Sequence, residues 1–394
     1  MLHSIRVENF FSIREMQTLD LRVAKNAPDH DHRFACAHET NAPRIPRVIA
    51  IFGANASGKT NLIKALSFVR AFARNSVDDK PDDNFPFLNF NAAAWVDEPT
   101  KIEVDFDASL PSFGDQRKNY SYSLELSYSD TRVINETLLH YPRGRAKRLF
   151  SRNKDNIYFS KEFDISKSDP ITKRIRKNAS IISTLAKFNH PLGLELYKML
   201  EQVVSDVGPS GKFSFSDDGA TDYYARSEDA LQSLNDVIKK FDLGIEKVFI
   251  EESESGKEPR FIHSGMDYDL GYVFESQGTQ SFYKLFPYIN FVLNTGGIAA
   301  LDELGSDIHP LLLPEIIDMF HDSEINKYDA QLIMTCHNAS LLEFLEKDEI
   351  FFTEKRADGA TEVYGLKSIT GVRRDMNVYA KYLAGAFGAV PHVG

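Results

Sequence analysis

The sequence has few cysteines and no long apolar run, and both absences narrow the choice of protein class. Only two cysteines, Cys36 and Cys336, occur in 394 residues. This excludes a disulfide framework and a zinc site built on cysteine. No apolar run approaches the roughly 20 residues that a membrane-spanning helix needs. The first residues lead directly into a strand pattern, so we expect no signal peptide, a cytoplasmic location and no membrane partner.

The sequence also lacks an excess of basic residues, internal repeats and sustained heptads. The 46 Lys and Arg residues are outnumbered by 57 Asp and Glu, which gives a formal net charge of −11. This balance argues against a surface that wraps nucleic acid as a whole, and the missing heptads exclude long coiled-coil arms. Two local basic segments are interpreted either as solvated surface or as a patch for nucleic acid or an acidic partner. They contain Arg143, Arg145, Lys147, Arg148 and Arg152, then Lys173, Arg174, Arg176 and Lys177.

What the sequence does contain is a phosphate-binding loop in the right surroundings. Residues 53–60 read GANASGKT and match G-x-x-x-x-G-K-[ST] at every fixed position. The apolar run at 48–52 predicts a buried strand before the loop, and the spacing after it predicts a helix to about Arg74. Backbone N–H groups and the positive end of that helix would bind the phosphates of a nucleoside triphosphate. The alternative, a glycine-rich turn that binds nothing, is disfavoured by the complete match.

The side chains of this loop have separate expected roles. Lys59 is long enough to reach the β- and γ-phosphates of ATP, and the Thr60 hydroxyl is a ligand for Mg²⁺. The candidate nucleotide-binding residues of the loop and its helix are Gly53, Asn55, Ala56, Ser57, Gly58, Lys59, Thr60 and Asn61.

Two further strand patterns end in residues suited to phosphate hydrolysis. The apolar run at 298–301 ends in Asp302 and Glu303. We predict that Asp302 holds Mg²⁺ and that Glu303 orients or deprotonates the attacking water. A second run at 331–335 is followed by His337, which we expect beside the γ-phosphate as a switch and hydrogen-bonding group. Each signal is weak alone, because such strand ends are common, and gains weight beside the loop.

The segment 275–279 reads ESQGT and precedes a helix pattern from 280 to 292. The Ser276 hydroxyl, the close backbone approach allowed by Gly278 and the helix N-terminus together suit phosphate binding. The same residues are also those of an ordinary helix cap. The residue pattern alone leaves this choice open.

The remaining patterns divide the chain into four predicted segments. Two contribute to an ATPase core, one is rich in strands and one in helices: 1–84 carries the loop, 85–160 forms a β-rich lobe, 161–245 forms a helical insertion, and 246–394 carries the second half of the core.

Several local predictions refine this division. We predict a surface loop over 24–46, a helix over 194–204 and a mobile loop over 208–223. Apolar residues around 272–274 predict a strand. Asp348 and Glu349 are expected to open an edge strand, without forming a metal site.

The order of these motifs resembles the heads of ABC-type ATPases, which include RecF, SMC and OLD proteins. More closely, the chain resembles the AAA15/RloA-like group, whose relatives in AbiL, AriA and PtuA systems are often encoded in phage-defence or abortive-infection loci. The resemblance implies an α/β fold, namely a P-loop NTPase of the ABC/SMC-head type with a β-rich lobe and a helical insertion. The segments that carry it are 9–13, 53–61, 275–279, 302–310 and 382–391.

The resemblance also implies a homodimer that closes around ATP and Mg²⁺, with assembly beyond the dimer left open. In such heads the loop with Ser276 and Gly278 in one subunit would touch the γ-phosphate held by Lys59 of the other. Asp307 and His309 match the stretch that crosses the dimer interface, or else form a plain loop and helix start.

One departure concerns a glutamine that ABC heads usually place after the first helix. No glutamine occurs between Thr60 and Gln116. This role is therefore unfilled, or is taken by Asn89 or Asn91.

Two functions follow as hypotheses. The first is a Mg²⁺-dependent ATPase that dimerises around ATP and regulates a separate effector, a nuclease or toxin, in phage defence or abortive infection. We expect a separate chain because the residues after His337 suffice to finish the head and little else. The second is a RecF/SMC-like ATPase that acts directly on DNA in repair or recombination. A transporter subunit fits badly, because the stretch between Thr60 and Ser276 is long and rich in strands.

Overall fold

A computed structural model describes residues 1–25, 27–29, 32–36, 43–113, 120–142, 144–166, 169–208, 211–241, 244–254, 256–306, 308 and 312–390. Strands and helices alternate along this part of the chain. The strands are β1 (Leu2–Glu8), β2 (Gln17–Asp20), β3 (Phe34–Cys36), β4 (Arg44–Pro46), β5 (Val48–Phe52), β6 (Thr100–Ala108), β7 (Tyr120–Ser129), β8 (Arg132–Tyr141), β9 (Lys147–Asn153), β10 (Asn156–Phe159), β11 (Val203–Ser205), β12 (Val207–Gly208), β13 (Gly211–Lys212), β14 (Ile245–Ser253), β15 (Gly256–His263), β16 (Asp269–Gly271), β17 (Ile298–Leu301), β18 (Gln331–Thr335), β19 (Ile350–Lys355) and β20 (Thr361–Gly365). The α-helices are α1 (Lys59–Asn75), α2 (Ile181–Lys187), α3 (Pro191–Glu201), α4 (Asp217–Arg226), α5 (Glu228–Lys240), α6 (Gln277–Thr295), α7 (Leu312–His321) and α8 (Val378–Leu383).

A six-stranded sheet in the order β11-β17-β18-β5-β19-β20 forms the centre of the molecule. The first five strands are parallel, and β20 is antiparallel at the edge. Every residue of β5, β17 and β18 is buried, as expected for parallel strands that are covered on both faces. Because these strands are parallel, the polar residues that follow them lie at one edge of the sheet.

The two faces of this sheet belong to different hydrophobic cores. Ile49 and Ile51 of β5 pack with α1, α2, α3 and the antiparallel sheet, whereas Val48, Ala50 and Phe52 pack with α4 to α8. The alternation follows from the period of two along a strand. Helix α1 is therefore buried along most of its length and fixes the loop that precedes it.

A second, antiparallel sheet has the order β10-β9-β8-β7-β6-β1-β2. The predicted β-rich lobe at 85–160 supplies β6 to β10, and β1 and β2 of the N-terminal segment complete the sheet. The predicted loop at 24–46 contains the short hairpin β3–β4 at its end.

The predicted helix over 194–204 is wrong at its end. Helix α3 stops at Glu201, and the next residues form β11, which pairs in parallel with β17 through Val203 and Ile298. A pair of β-branched valines fits a strand better than a helix. The long-range pairing with β17, which a local pattern cannot show, decides the outcome.

The predicted mobile loop over 208–223 is also wrong in its second half, where α4 begins at Asp217. The Ser216 side chain accepts a hydrogen bond from the Gly219 N–H and caps the helix, and two aspartates stand in the first turn. Ser, Asp and Gly are loop residues by composition, but the same types favour a helix start.

Two smaller predictions are corrected. The apolar residues at 272–274 form a 3₁₀ turn between β16 and α6 instead of a strand. The strand that follows Asp348 and Glu349 is β19, which lies between β5 and β20 and is not an edge strand. None of the helices in the described part of the chain is both long and apolar enough to cross a bilayer.

Most of the basic residues noted in the sequence are exposed, as the solvated-surface interpretation expects, but two of them are not. Arg152 is 1% exposed, and its guanidinium donates to the Ala179 carbonyl at 2.6 Å and lies 3.4 Å from the Glu136 carboxylate. Arg176 donates to the backbone carbonyls of residues 76 and 77. Arg143 lies outside the described residues.

The buried Arg152–Glu136 pair provides a test of this packing. Glu136 also accepts hydrogen bonds from Ser180 Oγ and the Ile181 N–H at the start of α2. Because Arg152→Met leaves a buried carboxylate without its charged partner, we expect the free energy of unfolding to fall by about 3–5 kcal/mol. Urea unfolding monitored by circular dichroism measures this value.

The matched control is Arg148→Met on the same strand, whose guanidinium lies 4.7 Å from the ring centroid of the half-exposed Tyr158. This change should cost about 1 kcal/mol or less. Equal losses in the two variants would contradict the special role of the buried pair.

Candidate functional site

The loop at 53–60 joins β5 to α1 and needs glycine at two positions. Gly58 has a φ of 106°, and a Cβ atom there would lie 2.3 Å from Thr361 Oγ1. A Cβ atom at Gly53 would lie 2.4 Å from the carbonyl oxygen of Thr353. Both glycines are therefore required by the close packing of the loop against β19 and β20.

Hydroxyl groups from distant parts of the chain hold the loop in place. Ser57 Oγ is hydrogen-bonded to Thr353 Oγ1 at 2.6 Å, and Thr361 Oγ1 donates to the Ser57 carbonyl at 2.8 Å. Ser12 Oγ is hydrogen-bonded to Thr361 Oγ1 and accepts from the Asn61 amide. No local sequence pattern indicates a role for Ser12, Thr353 or Thr361, because only the fold brings them to the loop.

The Lys59 side chain turns back over the loop. Its Nζ donates to the carbonyls of Gly53 at 2.8 Å and Ala54 at 3.0 Å. Burial lowers the pKa of Lys59, and the nearby Glu303 and Asp302 carboxylates oppose that shift. The structure thus places the ammonium group at the centre of the loop, where phosphate oxygens would replace the carbonyls as its acceptors.

The two predicted Mg²⁺ ligands are in direct contact. Thr60 Oγ1 lies 3.0 and 2.9 Å from the two carboxylate oxygens of Asp302, and Thr335 Oγ1 donates to one of them at 2.6 Å. These hard oxygen donors fit Mg²⁺, which takes one or two carboxylates or hydroxyls and completes its shell with water and phosphate. The described residues contain no cluster of three or more His, Cys, Asp or Glu side chains that could hold a metal without such help.

Glu303 and His337 form the other polar pair of the site. His337 Nε2 and Glu303 Oε1 are 2.9 Å apart and share a hydrogen bond. Glu303 has a φ of 50°, a left-handed conformation that costs a non-glycine residue about 1–3 kcal/mol. Its N–H donates to Thr335 Oγ1 at 2.8 Å, which helps to hold this turn. The strained backbone directs a half-exposed carboxylate towards the loop.

A cavity of about 930 Å³ lies over the loop and is large enough for a nucleotide. Asn89 and Asn91, the candidates for the missing glutamine, both line it, but the Asn89 amide donates to the Val96 and Glu98 carbonyls of its own loop. The lining residues are Phe11, Ser12, Asn55 to Asn61, Leu88 to Asn91, Glu303, His337 and Lys355.

The segment with Ser276 and Gly278 lies at the start of α6 and does not line this cavity. Ser276 Oγ accepts a hydrogen bond from the Thr279 N–H at 3.1 Å and caps the helix. The capping interpretation is thus confirmed, and a role in phosphate binding stays a prediction. Asp307 and His309 lie outside the described residues.

One buried acidic residue beside the site was not among the predicted site residues. Asp206 directly follows β11, and its Oδ1 accepts a hydrogen bond from the Asp302 N–H at 2.8 Å. Burial raises the pKa of Asp206 to about 6. A signal is present, because Val203 and Val204 precede Asp206 much as an apolar run precedes Asp302, but the predicted helix over 194–204 includes both valines.

Most of the chain matches a known protein family. A family model described as "AAA domain, putative AbiEii toxin, Type IV TA system" (AAA_21) matches residues 48–343. The chain belongs to the AAA_21 family. The match begins at β5 and includes the loop, Asp302, Glu303 and His337, so this AAA_21 protein is a P-loop ATPase with the predicted α/β fold.

The AAA_21 protein is also similar to solved SMC heads, at low identity. The SMC head domain from Thermotoga maritima is 15% identical, with a TM-score of 0.45, and the similarity covers 92% of this chain and 98% of that one. An SMC head bound to the C-terminal winged-helix domain of ScpA is 14% identical, with a TM-score of 0.47 and coverage of 92% and 97%. An SMC head with an extended coiled coil, bound to a ScpA domain derived from Pyrococcus furiosus, is 14% identical, with a TM-score of 0.43 and coverage of 93% and 96%. No curated protein matches the chain.

The position of Glu303 leads to a prediction about turnover. Glu303→Gln keeps the shape of the side chain but removes the carboxylate that would accept a proton from water. We expect ATP to bind with unchanged affinity and to be hydrolysed about 10²–10⁴ times more slowly. Calorimetric titration with ATP and a phosphate-release assay measure the two quantities.

Glu315→Gln is the control for this variant, because Glu315 is exposed on α7. It should hydrolyse ATP at the wild-type rate. Normal turnover by Glu303→Gln would remove Glu303 from the reaction.

Proposed function

We propose that this AAA_21 ATPase closes into a homodimer around ATP and Mg²⁺ and uses the cycle of closure and hydrolysis to control a separate effector, a nuclease or toxin. One observation supports the proposed homodimer. The phosphate-suited segment at Ser276 and Gly278 lies at a helix N-terminus away from the cavity of its own chain. A second subunit that faces the first would bring this segment over the open side of the cavity.

Each group of the cavity has one role in this proposal. Lys59 and the N–H groups of the loop bind the phosphates, and Thr60 and Asp302 would hold Mg²⁺, which would neutralise charge on the phosphate oxygens. Glu303 orients the attacking water and accepts its proton, and the hydrogen bond with His337 fixes the rotamer of that carboxylate.

The segment from the second subunit completes the pocket. Ser276 Oγ and the first N–H groups of α6 supply donors to the γ-phosphate, and Gly278 lets the backbone approach closely. Because one subunit lacks these donors in its own cavity, hydrolysis depends on contact between two subunits.

The proposal that the ATPase controls another protein is supported by different observations. The family description names a toxin and a type IV toxin–antitoxin system. The motifs of the chain resemble AAA15/RloA-like proteins of phage-defence and abortive-infection loci. Both support the proposal of a regulator whose ATP-bound dimer restrains or releases a toxic partner.

Direct action on DNA, the second hypothesis, has less support. A DNA-binding face needs free cations on one surface. In the two basic segments Arg152 is buried, Arg176 is bonded to backbone carbonyls, and Lys147 and Lys177 form ion pairs with Glu162 and Asp82. The exposed cations that remain among the described residues are Arg145, Arg148, Lys173 and Arg174.

Mixing two inactive variants tests the shared pocket. Lys59→Ala disables the loop and Gly278→Asp disables the segment, so each alone should hydrolyse little ATP. An equal mixture should recover roughly a quarter of the wild-type rate, because random pairing makes half the dimers mixed and gives each of them one intact site. A phosphate-release assay on single and mixed samples measures the recovery.

Gly219→Asp is the matched control, since it places the same side chain in the first turn of α4. It should be fully active. A mixture that stays inactive, or a Gly278→Asp protein with normal turnover, would contradict a pocket shared between subunits.

A second experiment tests the effector. Glu303→Gln, which should accumulate ATP-bound dimers, and Lys59→Ala, which should not, serve as baits in native cell extract with ATP and Mg²⁺. We expect one protein, a nuclease or toxin, to be enriched on one bait over the other, as measured by quantitative mass spectrometry. Equal recovery on both baits, together with ATP-dependent binding of duplex DNA in a filter assay, would favour the second hypothesis.

A further inference from the structure

The strand β11 brings an acidic residue to the strand that carries the hydrolytic carboxylates. Ser205, the last residue of β11, pairs in parallel with Ala300 of β17. The next residue, Asp206, is 6% exposed, and its Oδ1 accepts the backbone N–H of Asp302 at 2.8 Å. Asp206 thus binds the backbone at the point where β17 ends and the catalytic turn begins.

The residues after Asp206 reach the same turn from its other side. The hairpin β12–β13 folds back, and the Phe213 N–H donates to the Asp206 carbonyl at 2.8 Å. Lys212 Nζ then lies 3.4 Å from both the Glu303 carbonyl oxygen and Ser306 Oγ, and 3.8 Å from Asp206 Oδ2. One short segment therefore holds the turn at 302–306 at both ends.

The turn at 302–306 needs such support because its backbone is strained. Glu303 has a left-handed backbone conformation with a φ of 50°, which neighbouring contacts must maintain. Its carboxylate is half-exposed and has a single side-chain partner, His337, among the described residues. A small rotation of the peptide between Asp302 and Glu303 would therefore displace the carboxylate from the water that it orients.

We propose that Asp206 is a positioning residue for ATP hydrolysis, which fixes the backbone of Asp302 and through it the direction of the Glu303 carboxylate, with Lys212 supporting the far side of the turn. The inference rests on the proposed role of Glu303. Asp206 does not line the nucleotide cavity, so it acts through the turn and not on ATP. It would affect the rate of hydrolysis and leave the binding of ATP unchanged.

The test compares Asp206→Ala with Asp206→Asn in the full chain by steady-state kinetics. Asp206→Ala removes the acceptor for the Asp302 N–H, and we expect kcat to fall about 10- to 100-fold with KM within about 3-fold of wild type, since a displacement of about 1 Å costs about 100-fold. Asp206→Asn keeps an oxygen at the same place and should retain kcat within about 5-fold. Thermal unfolding of both variants shows whether they are folded.

Two results would overturn the inference. A wild-type kcat for folded Asp206→Ala would show that the turn needs no such support. Equal losses of kcat in the Asn and Ala variants would show that the charge and not the hydrogen bond matters. If Asp206→Ala does not fold, Lys212→Met carries the test, with an expected loss of kcat of about 3- to 10-fold at unchanged KM, and a wild-type kcat would overturn the inference.

Glu303→Gln, measured in parallel, separates this inference from the proposed function. If Glu303→Gln hydrolyses ATP normally, the proposed role of Glu303 and the positioning role of Asp206 are both contradicted. If Glu303→Gln is slow while Asp206→Ala hydrolyses ATP normally, only the positioning role of Asp206 is contradicted. The double variant should be no slower than Glu303→Gln, because Asp206 acts through that carboxylate, and a further loss equal to that of Asp206→Ala alone would contradict this order of action.

Discussion

The hydrogen bonds around the Asp302 carboxylate are the interaction on which the rest of the site depends. The side chain is 5% exposed and accepts from the hydroxyls of Thr60 and Thr335, while the backbone N–H donates to Asp206. A buried carboxylate is tolerated only with such partners. Thr60 at the start of α1 and Thr335 at the end of β18 bind the carboxylate, and Asp206 after β11 binds the backbone, so Asp302 connects three separate elements.

The central sheet explains why these elements meet. The polar residues that follow the parallel strands lie at one edge of the sheet. Two different hydrophobic cores pack against its two faces. The core shared with α1 and the antiparallel sheet fixes the loop, and the core shared with α4 to α7 fixes the segment at Ser276. The strand ends that form the site therefore belong to a sheet that is packed on both faces.

The sequence predicted the parts of this arrangement that depend on local pattern. The loop, its strand and its helix are contiguous, and the runs before Asp302 and His337 are apolar enough to be recognised as strands. It failed where a short strand forms only by pairing with a distant one, as β11 does with β17. It also failed for Arg152 and for Thr353 and Thr361, because burial and hydroxyl contacts across some 300 positions leave no trace in local composition.

The anchoring of the loop by β19 and β20 has a consequence for synthesis of the protein. Ser57 is bonded to Thr353 and Thr361, which follow it by 296 and 304 positions. During synthesis, the residues of the loop at 53–60 are therefore added long before the residues that hold the loop in place. The hydroxyl contacts that hold the loop can form only after the last strands of the central sheet have been synthesised.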